Sequence, residues 1–371
     1  MSEAAHYIGL ISGTSRDGVD AVLVSFVNER PTVLATLCLA YPDSLAARLE
    51  RMVRAGRRPS DEESRELDAA IANHFADTAL QLIRGAGLDA GAVRAIGSHG
   101  QTVWHDPDGP VPESIQLGSP YRIAARTGIL TVGDFRRADI EAGGQGAPLA
   151  PLLHRALFRP GRGKRVVLNL GGIANISLVD DQGRVSGFDT GPANCLLDAW
   201  IQDQLGEPFD RDGAWSAGGR VDRQLLEVLL RDPWLARPPP KSTGIEYFNL
   251  AWLHHHLAGR TIAPRDVQAT LAELTALTVT AAVRPCGPAN LLLCGGGAHN
   301  IDLVERLRRN LRGIRLCSTG DFGIDPDWVE AVLFAWLARE RLHGRPQDTR
   351  AITGAHEPIL LGTIAPPPAV E

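Results

Sequence analysis

The stretch GLISGTSRDGVDAVLV, Gly9 to Val24, decides how this chain is read. An apolar run enters a turn of glycine, threonine, serine and aspartate, and a second apolar run leaves it. Two strand-length apolar runs around such turn residues predict a β-hairpin. Glycine lets backbone N–H groups approach an anion with no Cβ in the way, and the hydroxyls of Thr14 and Ser15 add donors. A tight hairpin that binds nothing looks the same, so this turn alone leaves both readings open.

Two other segments pair a buried strand with a glycine-rich turn, NLGGIANIS (169–177) and LLCGGGAHN (292–300). Around them the apolar spacing predicts a helix over about Asp61–Ile83 and a short strand AIGSHG (95–100) ending in polar residues. It further predicts a helix over 148–158, a second hairpin over 165–179 followed by VSGFDTGP (185–192), and a helix from about Ala193 to Leu205. Pro238–Pro240 mark a loop. A long apolar helix covers 267–283, and 290–311 reads as strand, glycine loop and helix. The last helix, 326–342, is expected to be amphipathic, with Val329, Leu333, Trp336 and Leu337 on one face, Asp325 as N-cap and Pro326 at N1. Hairpin and helices therefore come twice, which predicts two related α/β halves with a ligand cleft between them.

Composition removes other classes. The 371 residues are 44% hydrophobic and 22% charged with a net charge of −5, and no Lys/Arg cluster suits nucleic acid. No apolar run approaches the ~18 residues of a membrane span, and the N-terminus has no signal-peptide pattern. The five cysteines, Cys38, Cys195, Cys286, Cys294 and Cys317, are far apart and form no CxxC pair. They are expected to be small buried hydrophobes in a protein of the reducing cytoplasm. No GxxxxGK[ST] occurs, no GxGxxG joins a strand to a helix, and the DFG at 321–323 lacks the other kinase motifs. What remains is a hairpin-type phosphate clamp contributed by two facing domains.

Several strings go further: GTSRDGVDAVL, SHGQTVWHDP (98–107), TVGDFRRADIEAGGQGAPLAP (131–151), LNLGGIANIS, FDTGPAN (188–194), PKSTGIEYFN (240–249), DVQATLAELTA (266–276), CGGGAHN and DPDWVEAVLFAWLA (325–338). Together, in order and over nearly the whole chain, they resemble the 1,6-anhydro-N-acetylmuramic acid kinase family of the actin, hexokinase and Hsp70 superfamily. The resemblance implies an α/β chain of two actin/hexokinase-like (ribonuclease H-like) domains with an interdomain active-site cleft. The expected division is an N-terminal domain over 1–132 and a C-terminal domain over 133–350, with the tail, about 351–371, free to return to the first. The resemblance also implies the reaction. Water attacks C1 of the anhydro sugar while O6 leaves and takes the γ-phosphoryl of ATP, giving N-acetylmuramic acid 6-phosphate and ADP, in cytoplasmic cell-wall recycling. ATP and Mg²⁺ are the implied cofactors. Nucleic acid and membrane are not expected as partners, and a homodimer is left open. The alternatives are an ordinary sugar kinase acting on a free hydroxyl, and a non-catalytic actin-like nucleotide switch.

The resemblance assigns residues. Gly13, Thr14, Ser15, Arg16, Asp17, Gly18, Val19 and Asp20 match the ATP-binding hairpin. Gly171 and Gly172 match the second clamp, and Gly295, Gly296 and Gly297 the adenosine loop. No metal ligand is assigned with certainty; Asp17 is the candidate, through water, with an ordinary Asp-Gly turn as the other reading. Asp189, between an apolar strand stretch and a Gly-Pro turn, matches the catalytic aspartate and would be the general base for the water. From the residues alone it could equally cap the helix near Ala193. His99, Gln101 and Thr102 suit sugar hydroxyls and an N-acetyl group; a metal site there lacks a carboxylate at ligand spacing. Arg136 and Arg137 fit a lactyl carboxylate or simply the surface. Glu330, expected in the second turn of its helix, is either a favourable charge near a helix N-terminus or a sugar contact. The run His254–His256 reads as surface. Two residues depart from the family pattern, Arg16 where an apolar residue is expected and Ala193 where a glycine is.

Overall fold

A computed structural model describes residues 5–369 apart from 14, 15, 28 and 289. The strands, in chain order, are β1 (His6–Ser12), β2 (Gly18–Val27), β3 (Arg30–Ala40), β4 (Val93–Asp106), β5 (Glu113–Leu117) and β6 (Thr131–Gly133). They continue with β7 (Lys164–Leu170), β8 (Ile173–Asp180), β9 (Val185–Pro192), β10 (Asn290–Cys294), β11 (Arg315–Ser318) and β12 (Thr363–Ala365).

Two units carry these strands, Met1–Leu153 with Trp328–Glu371, and His154–Asp327. From the sequence the divisions were expected at 132/133 and 350/351. The first falls instead inside the helix Ala150–Leu157, and the second just ahead of the helix Val329–Leu342, which packs on the first unit's sheet.

The same strand pattern occurs in both units. In the first, β3, β2 and β1 pair antiparallel in that order, and β4 and then β6 follow parallel to β1. In the second, β9, β8 and β7 pair antiparallel, and β10 and β11 follow parallel to β7. Antiparallel neighbours need only tight turns, whereas the parallel additions need helical crossovers, and the intervening helices supply them. This is the ribonuclease H-like order expected of an actin/hexokinase-like chain. In the first unit β12 also adds antiparallel to β6, and β5 to β4.

Burial explains why β1 is apolar without alternation. Ile8 and Leu10 pack with Ile71 and Phe75 of the helix Asp61–Gly85, whose start is fixed by a reciprocal Ser60–Glu63 capping box. On the other face Gly9 and Gly97 lie side by side in register on β1 and β4. A Cβ on Gly9 would collide with the Ala331 carbonyl, and one on Gly97 with the Phe334 carbonyl. The helix Val329–Leu342 can rest directly on the sheet only because both side chains are missing. In the second unit, Val166, Leu168 and Ile176 pack with Val279 and Val283 of the helix Pro264–Val283 and with Leu303 and Leu307 of the helix Ile301–Asn310.

Three expectations are corrected. The helix 329–342 is not amphipathic, since every residue from Ala331 to Glu340 is buried. Phe135 packs on Phe334, and Arg341 donates to the Gly362 carbonyl, so chain covers the face that would otherwise be wet. Asp325 does not cap that helix. A 3₁₀ turn, Pro326–Trp328, intervenes, and Asp325 accepts instead from the Asp327 N–H. The cysteines are not uniformly buried: only Cys294 is, and Cys38 on the edge strand β3 is exposed. The hairpins and the helix over 61–83 were read correctly, whereas β3 was not anticipated. Among the described residues no helix is long and apolar enough to cross a membrane.

Candidate active site

In the first unit the candidates gather around the second half of β4. Gln101 is buried and fully engaged. Its Oε1 accepts from the Ser12 hydroxyl at 2.6 Å, and its Nε2 donates to the Gly13 carbonyl at 3.3 Å and the Thr102 carbonyl at 3.1 Å. It thus ties β4 to the start of the β1–β2 turn. Beside it His99 is buried against the Phe334 ring, with centroids 4.6 Å apart. Arg136 donates to His99 Nε2 from Nε at 3.1 Å and Nη2 at 2.9 Å. Nε2 is therefore an acceptor, and Nδ1 carries the proton given to the Gly100 carbonyl at 3.0 Å. Burial first, and the Arg136 charge second, push His99 well below the usual histidine range, so it stays neutral. Thr102 accepts from Gln116 Nε2. Glu330 is half-buried in the first turn of its helix, one turn earlier than expected. Arg137 is ion-paired with Asp134 at 2.6 Å and exposed, so the two adjacent arginines part company.

The β1–β2 turn itself is described on both sides of Thr14 and Ser15, which lie outside the described residues. Arg16 has a left-handed backbone, φ 56, closes the turn by donating to the Gly13 carbonyl, and sends its guanidinium to Glu50 at 2.6 Å. That ion pair explains a charged residue where an apolar one was expected. Gly18 is required by strand pairing, because a Cβ there would press on the Leu39 carbonyl at 2.5 Å. Val19 has its side chain in the core, leaving only its backbone to serve a ligand. Asp17 is exposed, and Asp20 faces Cys38 across β2 and β3. Although Cys38 is exposed as a residue, its thiol is partly covered by neighbours, and that partial burial first and Asp20 second push it up to about 12.

In the second unit three segments meet at the end of β7. The turn between β7 and β8 holds Gly171 and Gly172, whose carbonyls accept from the N–H groups of Asn194, and of Ala193 and Cys195, at the start of the helix Asn194–Leu205. Asn194 Nδ2 donates to the Leu170 carbonyl at 3.0 Å. Gly295, with φ 78, and Gly297 pack so closely on Asn169 and Leu170 that neither position admits a Cβ, whereas Gly296 is open. Among the described residues no cluster of three or more His, Cys, Asp or Glu is placed to hold a metal ion.

Asp189 lies near the end of β9, 7% exposed, opposite Asn175 of β8. It does not cap the helix 194–205. Its N–H donates to the Lys241 carbonyl at 3.1 Å, and its Oδ2 accepts from the Thr243 N–H at 2.9 Å. Ala193 has φ −129, so the missing glycine costs no left-handed strain; the positive φ falls on Gly191. Lys241 and Thr243 were not singled out from the sequence, although the PKSTG string that holds them was.

A family model described as anhydro-N-acetylmuramic acid kinase matches residues 5–367. The chain belongs to the anhydro-N-acetylmuramic acid kinase family. It is 48% identical over 365 residues to the anhydro-N-acetylmuramic acid kinase of Xanthomonas campestris pv. campestris (strain 8004), covering 97% of each chain. It is 48% identical over 368 residues to that of Pseudomonas syringae pv. syringae (strain B728a), covering 97% of this chain and 99% of the other. With that of Shewanella halifaxensis (strain HAW-EB4) it shares 44% over 367 residues, covering 98% and 99%. Membership of this kinase family makes the protein a sugar kinase, a phosphoryl transferase, and not a non-catalytic switch.

Proposed function

We propose that this kinase uses ATP and water to open the 1,6-anhydro bond of 1,6-anhydro-N-acetylmuramic acid and to phosphorylate O6, with Asp189 as general base. The observation that carries the reading is the placement of Asp189: buried, near a strand end, and oriented by a backbone donor on one carboxylate oxygen. Water attacks C1 as its proton passes to Asp189; the C1–O6 bond breaks, and O6 accepts the γ-phosphoryl while ADP leaves. A carboxylate suits both tasks at C1, since it takes the proton and offsets the positive charge that develops there.

The glycine turns support phosphate binding by a simple argument. The Gly171–Gly172 and Gly172–Ile173 peptides are trans, and their carbonyls face the helix 194–205. The N–H groups of Gly172 and Ile173 therefore point the opposite way, as a pair of donors suited to phosphate oxygens. Gln101 fixes the Gly13 end of the first turn, and His99 fixes Arg136, whose guanidinium suits the lactyl carboxylate. Gly295–Gly297 would take the adenosine, and Glu330 the sugar.

Mg²⁺ fits the donor set of the first turn. This ion is usually held by one or two carboxylates together with substrate phosphates, so no three-residue cage is needed, and Asp17 and Asp20 are the residues that would hold it. Bound there, it would offset charge on the β- and γ-phosphates. The reaction belongs to recycling of cell-wall sugar in the cytoplasm.

The test is isotopic. Incubation with MgATP, the anhydro sugar and ¹⁸O-water should place label at C1 and phosphate on O6, and Asp189→Asn should abolish the product. Unlabelled C1, or phosphorylation only of sugars with a free 6-hydroxyl, would make this an ordinary sugar kinase.

A further inference from the structure

The PKSTG string has no part in the reaction just described, yet it surrounds Asp189. We propose that Lys241 is a positioning residue for Asp189, its buried ammonium holding the neighbouring carboxylate ionised and aimed at the reacting water. The inference rests on the reading of Asp189 as the base.

The geometry is specific. Residues 241–243 grip Asp189 twice through backbone, since the Lys241 carbonyl accepts the Asp189 N–H and the Thr243 N–H donates to Oδ2. Lys241 is 6% exposed. Its ammonium donates to the Leu235 carbonyl at 3.0 Å and lies 4.5 Å from the centroid of the Trp234 ring. Both stabilise a cation, but neither carries a charge. Burial lowers the proton affinity of Lys241, and Arg237 lowers it further; Asp189 is the anion that works against both. Coupling of this kind is mutual, so what Asp189 does for the ammonium, the ammonium does for the carboxylate.

The segment is also fastened. Asp232, buried, accepts from the Trp234 N–H at 2.9 Å, the Tyr247 hydroxyl at 3.0 Å and Trp252 Nε1 at 2.8 Å. One carboxylate thus anchors both ends of the loop whose middle is Lys241–Thr243. Among the groups facing Asp189 are Asn175 from β8, uncharged, and Thr243 and Lys241 from the loop; Arg237 acts on Lys241 from the same loop.

A base must be ionised to work, so the acid limb of kcat/KM reports its proton affinity. In Lys241→Gln, which keeps a donor for the Leu235 carbonyl and removes the charge, that limb should move up by about one pH unit. In Lys241→Arg it should stay near the parent value, and the KM for ATP should hold within about twofold in both. An acid limb unmoved in Lys241→Gln, with Asp189→Asn inactive, would overturn the role of Lys241 and leave the base assignment standing. Full activity of Asp189→Asn would overturn the base assignment instead. Should Lys241→Gln fail to fold, Lys241→Met, which removes the charge and keeps an unbranched side chain over the Trp234 ring, takes its place; the same upward move of the acid limb is expected, and an unmoved limb would refute the proposal.

Discussion

Gly171→Ala separates what the fold needs from what a ligand needs. An added Cβ would lie 3.6 Å from the Ile173 carbonyl oxygen and 3.7 Å from Asn169 Nδ2, both ordinary contact distances, and the backbone there has no positive φ. Folding should thus be unharmed, and the stiffer unfolded chain should favour the variant by about 0.4–1 kcal/mol. The effect on nucleotide should be opposite. If the N–H groups beyond Gly171 hold phosphate oxygens at about 2.9 Å, a methyl group on the approach path keeps the phosphate away. Losing one hydrogen bond to a charged group costs about 1.5–3 kcal/mol, or roughly 10- to 100-fold in affinity. Thermal melting and calorimetric titration with a non-hydrolysable ATP analogue read the two effects separately. Gly295→Ala is the comparison: φ 78 and collision with Asn169 Oδ1 predict a loss of stability first. Unchanged nucleotide affinity in a stable Gly171→Ala protein would refute the phosphate reading of this turn. A large fall in melting temperature would refute the account of its backbone.

Other variants test the frame around the site. Gly97→Ala should cost about 3 kcal/mol or more, because the obstructing atoms are the backbone of the helix Val329–Leu342; melting near the parent temperature would contradict that packing. Gln101→Leu removes the partner of the buried Ser12 hydroxyl and should cost about 1–3 kcal/mol while raising the KM for ATP, and a KM unaltered in the folded variant would detach Gln101 from the turn. Hydrogen bonds from Arg339 and then Arg345 hold the Glu29 carboxyl down at about 2, against an ordinary value of 4.5. Its contribution is present above about pH 4.5 and lost as pH falls toward 2; solvent screening keeps it under about 1 kcal/mol. Urea unfolding of Glu29→Gln should therefore show a deficit at pH 7 that closes near pH 2, and a deficit independent of pH would deny the ion pair.

What the sequence made legible was local. Both hairpins follow from apolar runs around glycine turns, and the start of the helix Asp61–Gly85 follows from Ser60 and Glu63 three residues apart. Strand β3 was missed because its alternation marks an edge strand with one half-covered face, a weaker signal than the unbroken apolar run of β1. The helix Val329–Leu342 was misread because its covers, Phe135 and the carbonyl of Gly362, come from distant parts of the chain. Asp189 stood out by its string, but the Thr243 donor that orients it is 54 residues away in sequence, and no spacing rule reaches so far.

The glycines carry the last step. At Gly9, Gly97, Gly295 and Gly297 a side chain would strike backbone or neighbouring side chains, so the protein's own packing accounts for each. At Gly171 and Gly296 a Cβ would find room and no positive φ is imposed, so packing accounts for neither. A glycine that the fold does not require still loses conformational entropy on folding, a cost that needs some other return. Both open positions lie beside the end of β7, one on the turn whose carbonyls face the helix Asn194–Leu205 and one in the loop whose neighbours pack on Leu170. On the reading proposed above, close approach of a bound nucleotide would supply that return at two segments more than a hundred residues apart.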